Sequence, residues 1–485
     1  MLKQLAARKS VTAMVRELET GPKLNRVLGP GSLTAAGLGA MIGSGIFVLT
    51  GTVAAEHTGP AITLAFLVAA VGCGLAALCY AELAAMIPVS GSAYSYTYAT
   101  LGEGVAWFVG WNLALEYVMS AAAVAVGWSG YVVNLCEEFG LHFPAALTNA
   151  PLGKLATGHL APTGALVNVP AVLIVAALTW LCYIGVRQST RINNAMVIIK
   201  VAIIILFIIV GLKYVDTAQW HPFLPTNTGE FGHFGFSGVI QGAAIIFFAY
   251  IGFDQAATTA QEARNPQRDL PIGILAALVI STTLYIIMAA VMTGMVDYSK
   301  LDVAAPVAVA LDAHPELVWL GLPVKIGAVI GMTSVILMSI LGQPRIFMAM
   351  SRDGLLPHAM QKVHPKYRTP HVATIITGVI AAAFAGIFPL DVLGELISIG
   401  ILLAFTAVCA GVLVLRRTQP DTPRPFRVPA ATFTCIAGAI VCLGMTLALP
   451  RDTWVRLLVW SLIGAAVYFG YGYQHSRLRR ENAQP

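Results

Sequence analysis

The chain has 485 residues, of which 57% are hydrophobic and only 11% charged. Soluble domains carry roughly 25% charged residues, so this chain cannot wrap its apolar content in a water-compatible surface, and a soluble fold is excluded. The net charge of +6 is spread over short loops between apolar runs, which argues against a nucleic-acid partner and for orienting loops beside an anionic lipid leaflet.

The first 31 residues are basic and lack an apolar core of the kind a cleavable signal needs, so they read as a cytoplasmic N-terminal segment. Twelve apolar segments follow, taking about 20 residues per crossing. They run approximately over 32–55, 61–87, 103–134, 168–186, 190–212 and 236–261, then 271–296, 324–349, 371–388, 391–415, 429–449 and 454–473. The expectation is an all-α polytopic membrane protein with one membrane domain over 32–474 and a cytoplasmic tail at 475–485. The third and eighth segments are long enough to demand tilt or extension beyond the bilayer. Phe388-Pro389-Leu390 between segments nine and ten implies a tight hairpin, and Val307–Leu311 reads as a short helix in an outer loop.

Of the 29 Lys and Arg residues, 21 fall on the side of the N-terminus and 6 on the other. The larger group includes Arg8, Lys9, Arg16, Lys23, Arg26, Arg187, Arg191, Arg352, Arg368 and Arg416, and the smaller includes Lys154, Lys300 and Lys325. That bias puts both termini in the cytoplasm. The seven cysteines are scattered, without a CxxC pair, and read as small buried hydrophobes. No metal or other cofactor is implied.

Two segments are interrupted. The first carries Gly43-Ser44-Gly45 at its centre, where each glycine costs a helix roughly 1 kcal/mol against alanine. The sixth runs through Phe248-Ala249-Tyr250-Ile251-Gly252 into Asp254 and a polar stretch. Non-helical backbone survives at membrane depth only where protein or a water-filled cavity covers it, so a broken span points to a binding site at mid-membrane. Ile42-Gly43 and Ile251-Gly252 lie five segments apart. The expected architecture is therefore a 5+5 inverted repeat, over about 32–212 and 236–415, with broken helices 1 and 6 and two additional C-terminal helices over about 429–473. The competing reading of the glycines is close helix packing.

Several charges lie within spans, and three of them stand out. Lys200 sits about eleven residues, or roughly 16 Å, into segment five, close to the bilayer midplane. At that depth snorkelling is unfavourable, leaving an inward-facing amine beside the first break, either a proton carrier or a fixed positive charge. Asp254 is costly in mid-span, roughly 2.5–3.5 kcal/mol on insertion scales, and reads as a cap on the second half of segment six or part of an inner gate. Glu116, in Trp111-Asn-Leu-Ala-Leu-Glu116-Tyr, reads as a structural hydrogen bond or a substrate contact. Glu82 lies near an inner helix end, where an interfacial role is favoured. Met332 and Met338 read first as core packing and second as pocket lining.

The run Gly37-Leu-Gly-Ala-Met-Ile-Gly-Ser-Gly-Ile-Phe-Val-Leu-Thr-Gly51 resembles the first-span signature of the amino acid–polyamine–organocation transporters. Pro88-Val-Ser-Gly-Ser-Ala-Tyr94-Ser-Tyr96, Phe248–Asp254 and Glu262-Ala-Arg-Asn-Pro-Gln-Arg268 are similar to the same group. So are Gln343-Pro-Arg345 and Met350-Ser-Arg-Asp-Gly-Leu-Leu-Pro357, and the nearest likeness is to bacterial relatives of the cationic amino acid transporters. The resemblance implies an amino acid permease of the cell membrane, not an enzyme, with an amino acid and protons as its partners in the bilayer and sodium the weaker alternative. It implies that the N–H groups of Ser44 and Gly45 hold the substrate carboxylate and that the carbonyls of Met41, Phe248 and Ile251 hold its ammonium. Ile42, Gly43, Ala249 and Gly252 shape that backbone site, with Met338 in the side-chain pocket. Phe248 matches the aromatic gate, and Lys200 matches the lysine that stands where sodium-coupled cousins bind an ion.

Small neutral L-amino acids are the first expectation for substrate, because no acid is evident for a cationic side chain. Cationic amino acids, exchange instead of proton symport, and a channel are the alternatives. An accessory small membrane protein is left open. An intramembrane hydrolase lacks a paired nucleophile and base.

Overall fold

A computed structural model describes residues 2–14, 28–89, 91–154, 160–184, 189–303, 305–367 and 369–482. Arg16, Lys23, Arg26, Arg187 and Arg368 of the charge count, and Ser90 of the second motif, lie outside the described residues, as do the side chains of Lys3, Lys154 and Arg191.

The first membrane segment is two pieces. Helix α1, Pro30–Met41, starts with proline at its first turn, where the missing N–H costs nothing. It ends because Ile42 turns extended (φ −77°, ψ 99°). The chain resumes as a wide π turn, Gly45–Leu49, and continues through Thr50–Val53 and Ala54–Thr58 on the far side. Helix α2, Ile62–Met86, brings it back.

The short, wholly buried α3, Ser92–Thr100, precedes the 36-residue α4, Glu103–Glu138. At 1.5 Å per residue α4 is about 54 Å long, well beyond a hydrocarbon core of about 30 Å. A two-stranded hairpin, Leu152–Lys154 with Leu160–Pro162, lies in the following loop. Helices α5, Val169–Ile184, and α6, Ser189–Gly211, complete the first half.

The sixth segment repeats the interruption. Helix α7, Gly235–Ile246, passes into a tight 3-10 turn at Phe247–Tyr250, Ile251 is extended (ψ 131°), and Gly252 takes φ +127°. The chain then continues through Gln255–Thr258 and Ala260–Glu262. Helix α8, Pro266–Met295, is followed by the short α9, Pro306–Asp312, which contains the helix expected at 307–311. The 35-residue α10, Val318–Arg352, contains Lys325, one of the six charges counted on the side away from the N-terminus. That lysine is buried and pairs with Glu138 of α4. Helices α11, His371–Ile387, and α12, Leu390–Thr418, form the tight hairpin. Helices α13, Ala431–Ala448, and α14, Arg451–Val467, close the chain.

Among the described residues, nine helical stretches are long and apolar enough to cross a membrane, and two shorter apolar helices, Val169–Ile184 and His371–Ile387, accompany them. Segments one and two appear there as one stretch, Gly45–Met86, because the outer half of the first runs almost without pause into the second. Large apolar side chains point outward along these helices, among them Ile440, Leu447, Leu458 and Leu462. In lipid such faces need no cover, and the interior is held by close packing and internal hydrogen bonds instead.

Both ends of the chain meet on one side. The Gln4 amide donates to Glu103 (3.0 Å) and to Ser476 (3.2 Å), and Lys9 pairs with Asp353 at 2.8 Å. Glu82, 1% exposed, is also tied on this side: Arg416 donates to it twice (3.0 and 2.5 Å) and the Val428 N–H once (2.7 Å). This joins α2 to the end of α12 and the start of α13, so its role is structural. Breaking such a pair by removing one charge costs roughly 3–5 kcal/mol. Glu82→Gln is therefore expected to lower the thermal midpoint of the detergent-solubilised protein by several degrees, and an unchanged midpoint would show the pair to be idle.

Candidate functional site

The two breaks lie against each other at the centre of the molecule. A Cβ on Gly45 would stand 2.5 Å from Ala249 Cβ and 2.6 Å from its Cα, and one on Gly252 would stand 2.6 Å from Ala40 Cβ and 2.8 Å from its carbonyl carbon. A Cβ on Gly43 would meet only the Val335 side chain, at 2.7 Å. Close packing and a broken helix are thus one arrangement here, not rival readings of the glycines.

After the break, the first hydrogen bond of the resumed helix runs from the Phe47 N–H to the Gly43 carbonyl (3.2 Å). The N–H groups of Ser44 and Gly45 come before it, at the position where a helix leaves donors over. The Ser44 hydroxyl is fully buried and has no hydrogen-bond partner. Across the break, the carbonyls of α1's last turn face inward, and Lys200 reaches them from α6. Its Nζ donates to Gly39 O (2.9 Å), Ile42 O (2.9 Å) and Ser334 Oγ (2.8 Å). An ammonium has three N–H donors, and all three are used. Lys200 is 0% exposed, and among the described residues no carboxylate pairs with it. It therefore fastens the end of α1 to α6 and α10.

The carbonyls around the two breaks, among them that of Phe248, one of three expected to hold the ammonium, are not equally available. Ile42 O is held by Lys200. Ala249 O accepts from the Tyr285 hydroxyl (3.0 Å), and Phe248 O accepts from the Ile251 N–H (3.2 Å). Phe248 itself is 5% exposed, within the tight turn at the sixth break. Met338 is 8% exposed and packs with Ala36 and Ala40 against Leu341, beside the end of α1, whereas Met332 is in the core.

Two sequence readings are corrected. Asp254 makes no side-chain cap: Gly252 and Gln255 N–H groups lie near its carboxylate, but the hydrogen bond formed is from Tyr117 OH to Oδ2 (3.2 Å), and Oδ1 has none. Glu116 makes no structural hydrogen bond either, since both carboxylate oxygens are buried without partners. It stands close to Asp254 on the neighbouring face, with the unpartnered hydroxyls of Tyr80 and Tyr96 nearby. These orphaned groups form a polar patch inside an apolar bundle, an arrangement that native proteins keep for a reason. Sequence reading missed it because the tyrosines come from α2 and α3, far along the chain from Asp254.

A helical bundle broken twice at its centre, with a buried lysine holding one break, defines a membrane carrier of small solutes. The chain belongs to the amino acid permease family, whose pattern it matches over residues 28–468. It is 46% identical to the methylthioribose transporter of Bacillus subtilis, over 94% of this chain and 95% of that protein. It is 44% identical to the branched-chain amino acid permease BcaP of the same organism, over 98% of both chains. It is also 39% identical to the vacuolar cationic amino acid transporter 4 of Arabidopsis thaliana, over 87% of this chain and 68% of that protein.

Proposed function

We propose that this permease takes up small neutral, apolar L-amino acids together with protons, by alternating access around segments one and six. The observation that carries the coupling is Lys200: its Nζ lies within hydrogen-bond distance of two carbonyls and the Ser334 hydroxyl, and only the protonated amine donates to all three. Loss of the proton leaves two donors and a lone pair, which is met only if the Ser334 hydroxyl turns to it from Gly331 O (2.7 Å) and Gly39 O (3.0 Å). The tie between α1, α6 and α10 then weakens, and the break it braces is released. Proton binding and the position of the substrate-binding backbone thereby become one equilibrium. Sodium coupling is the weaker reading, because the amine already occupies these carbonyls.

In this reading the carboxylate lies on the Ser44 and Gly45 N–H groups, where the helix dipole favours an anion. The carbonyls of Met41 and Ile251 take most of the ammonium, with Phe248 closing over the ligand as a gate. Gly45 lies so near Ala249 that the two segments must part slightly to admit a substrate. Asp254 and Glu116 support segment six and its movement. Twelve crossings, the 5+5 inverted repeat with two further helices, and termini in the cytoplasm complete the picture.

The apolar surface of Ala36, Ala40, Met338 and Leu341 favours an aliphatic side chain, and a relative named for branched-chain amino acids supports it. Cationic substrates are the second reading, supported by the relatives named for them and by the unpaired Glu116 carboxylate. Uptake of labelled amino acids into proteoliposomes, with and without an inward proton gradient, decides between them. Leucine, isoleucine, valine and alanine should accumulate with the gradient, and arginine and lysine should not. Truncating Met338 to Ala is expected to raise the leucine KM by about tenfold, the effect of losing roughly 1–3 kcal/mol of apolar contact. Accumulation driven by sodium alone, or arginine as the best substrate, would sink this assignment.

A further inference from the structure

Below the breaks, on the side where the termini meet, a cavity of about 40 Å³ opens between α1, α6, the end of segment six and α10. Two of the sequence motifs end there: Glu262 comes from one and Arg345 from the other. Arg345 Nη2 lies 3.0 Å from Glu262 Oε1, and their side chains are 28% and 24% exposed, open enough to exchange partners. A third polar residue on the wall, Asn193, is 3% exposed. Its Nδ2 donates to Ala35 O (3.2 Å), and its Oδ1 is buried without a partner. Ala36, Met338 and Leu341 supply an apolar wall, and they pack against Ala40 at the end of α1.

An opposed cation and anion, an idle acceptor beside them and an aliphatic wall are the complement of an apolar amino acid. From these contacts we infer a second zwitterion site in this cavity, which the substrate occupies between the central site and the N-terminal side; it rests on the amino acid reading above. At about 40 Å³ the cavity holds a few waters, so the zwitterion enters only as the Arg345–Glu262 pair parts and the walls widen, and Arg345 then turns its planar fork to the carboxylate. Glu262 and the Asn193 Oδ1 take the ammonium. One ion pair becomes two, so no charge is left buried without compensation. The side chain stays on the Met338–Leu341 wall throughout and need not cross a polar surface. The central site offers only backbone dipoles and partial charges. A site with full charges next to it gives the departing zwitterion a place to go before it meets water.

The test uses the full chain in proteoliposomes, with leucine presented in turn to each face. Arg345→Gln is expected to raise the leucine KM at the N-terminal face by about tenfold while changing the other face less than about twofold. Glu262→Gln should do the same. The double variant, which leaves no lone charge and so guards against misfolding, should match the singles instead of restoring the wild-type value. As a probe of orientation, 4-methylpentanoate should compete with leucine at that face in the wild type and in Glu262→Gln, and fail in Arg345→Gln. Unchanged KM values, equal changes at both faces, or restoration by the double variant would make the pair a plain lock and overturn the second site alone. A wild type that carries no amino acid would overturn the substrate reading and this site with it.

Discussion

Lys200→Ala should abolish proton-driven accumulation, lowering the steady-state ratio by at least about tenfold, while exchange of internal for external amino acid persists at a reduced rate. The expectation follows from what the amine touches. Removing it deletes the amine and leaves Ile42 O buried without that donor, at a cost of roughly 1–3 kcal/mol if no water replaces it, while Gly39 O keeps the Ser334 hydroxyl at 3.0 Å. Some of that loss appears as lower stability, so activity has to be normalised to folded, inserted protein. Coupling is separated from stability by the driving force. If the amine carries the proton, a gradient of about one pH unit, worth about 1.4 kcal/mol, drives the wild type and does nothing for the variant. Lys200→Arg is the sharper control, because a guanidinium keeps the positive charge and never releases its proton. It should exchange without accumulating. Equal accumulation by wild type and Lys200→Ala would remove the lysine from the coupling mechanism. A wild type indifferent to the gradient would instead make the lysine a fixed counter-charge and the protein an exchanger.

What could be read from the sequence was whatever a single segment discloses about itself. Gly43-Ser44-Gly45 and Ile251-Gly252 marked the breaks because helices in lipid cannot spend glycines cheaply, and the structure turns extended at Ile42 and Ile251 themselves. The depth of Lys200 followed from counting residues along one helix. Its partners did not, because Ser334 lies 134 positions away on α10, where no periodicity links it to α6. Asp254 failed for the opposite reason. A carboxylate ahead of a short helix looks like a cap when only local spacing is considered, yet its hydrogen bond comes from Tyr117 on α4, 137 positions away. Glu116 was misread in the same manner, since a buried acid with no donor cannot be told from a bonded one by its neighbours in sequence. The meeting of Glu262 with Arg345 was likewise invisible: both lie in motifs singled out from the sequence, and nothing in either implies the other.

Gly252→Ala is the substitution expected to be least tolerated at the centre of the molecule, with loss of transport by at least about a hundredfold per inserted protein. Two independent costs fall on one methyl group. At φ +127° an L-residue is strained, which is worth about 1–3 kcal/mol. The new Cβ would also lie 2.6–2.9 Å from the Cβ, carbonyl carbon and following amide of Ala40–Met41, atoms of the backbone that ends α1 and that Lys200 holds in place. Backbone cannot swing aside as a side chain can, so relief requires segments one and six to separate, adding about 1–3 kcal/mol of overpacking. Because those segments carry the binding backbone, the displacement falls on the site directly, and misplacement by about 1 Å can cost on the order of a hundredfold in rate. Gly45→Ala should behave similarly, since its Cβ would press on Ala249 Cα and N. Gly43→Ala, facing only the movable Val335 side chain, should lose far less, and Gly31→Ala or Gly470→Ala, with nothing within 4 Å, should lose nothing. The order of the five, measured as initial uptake against protein in the membrane, is the discriminating result. If all central glycine variants transported equally, the meeting of the breaks would be mere packing. If Gly43→Ala proved the most damaging of them, the site would lie toward α10 instead of between the two breaks.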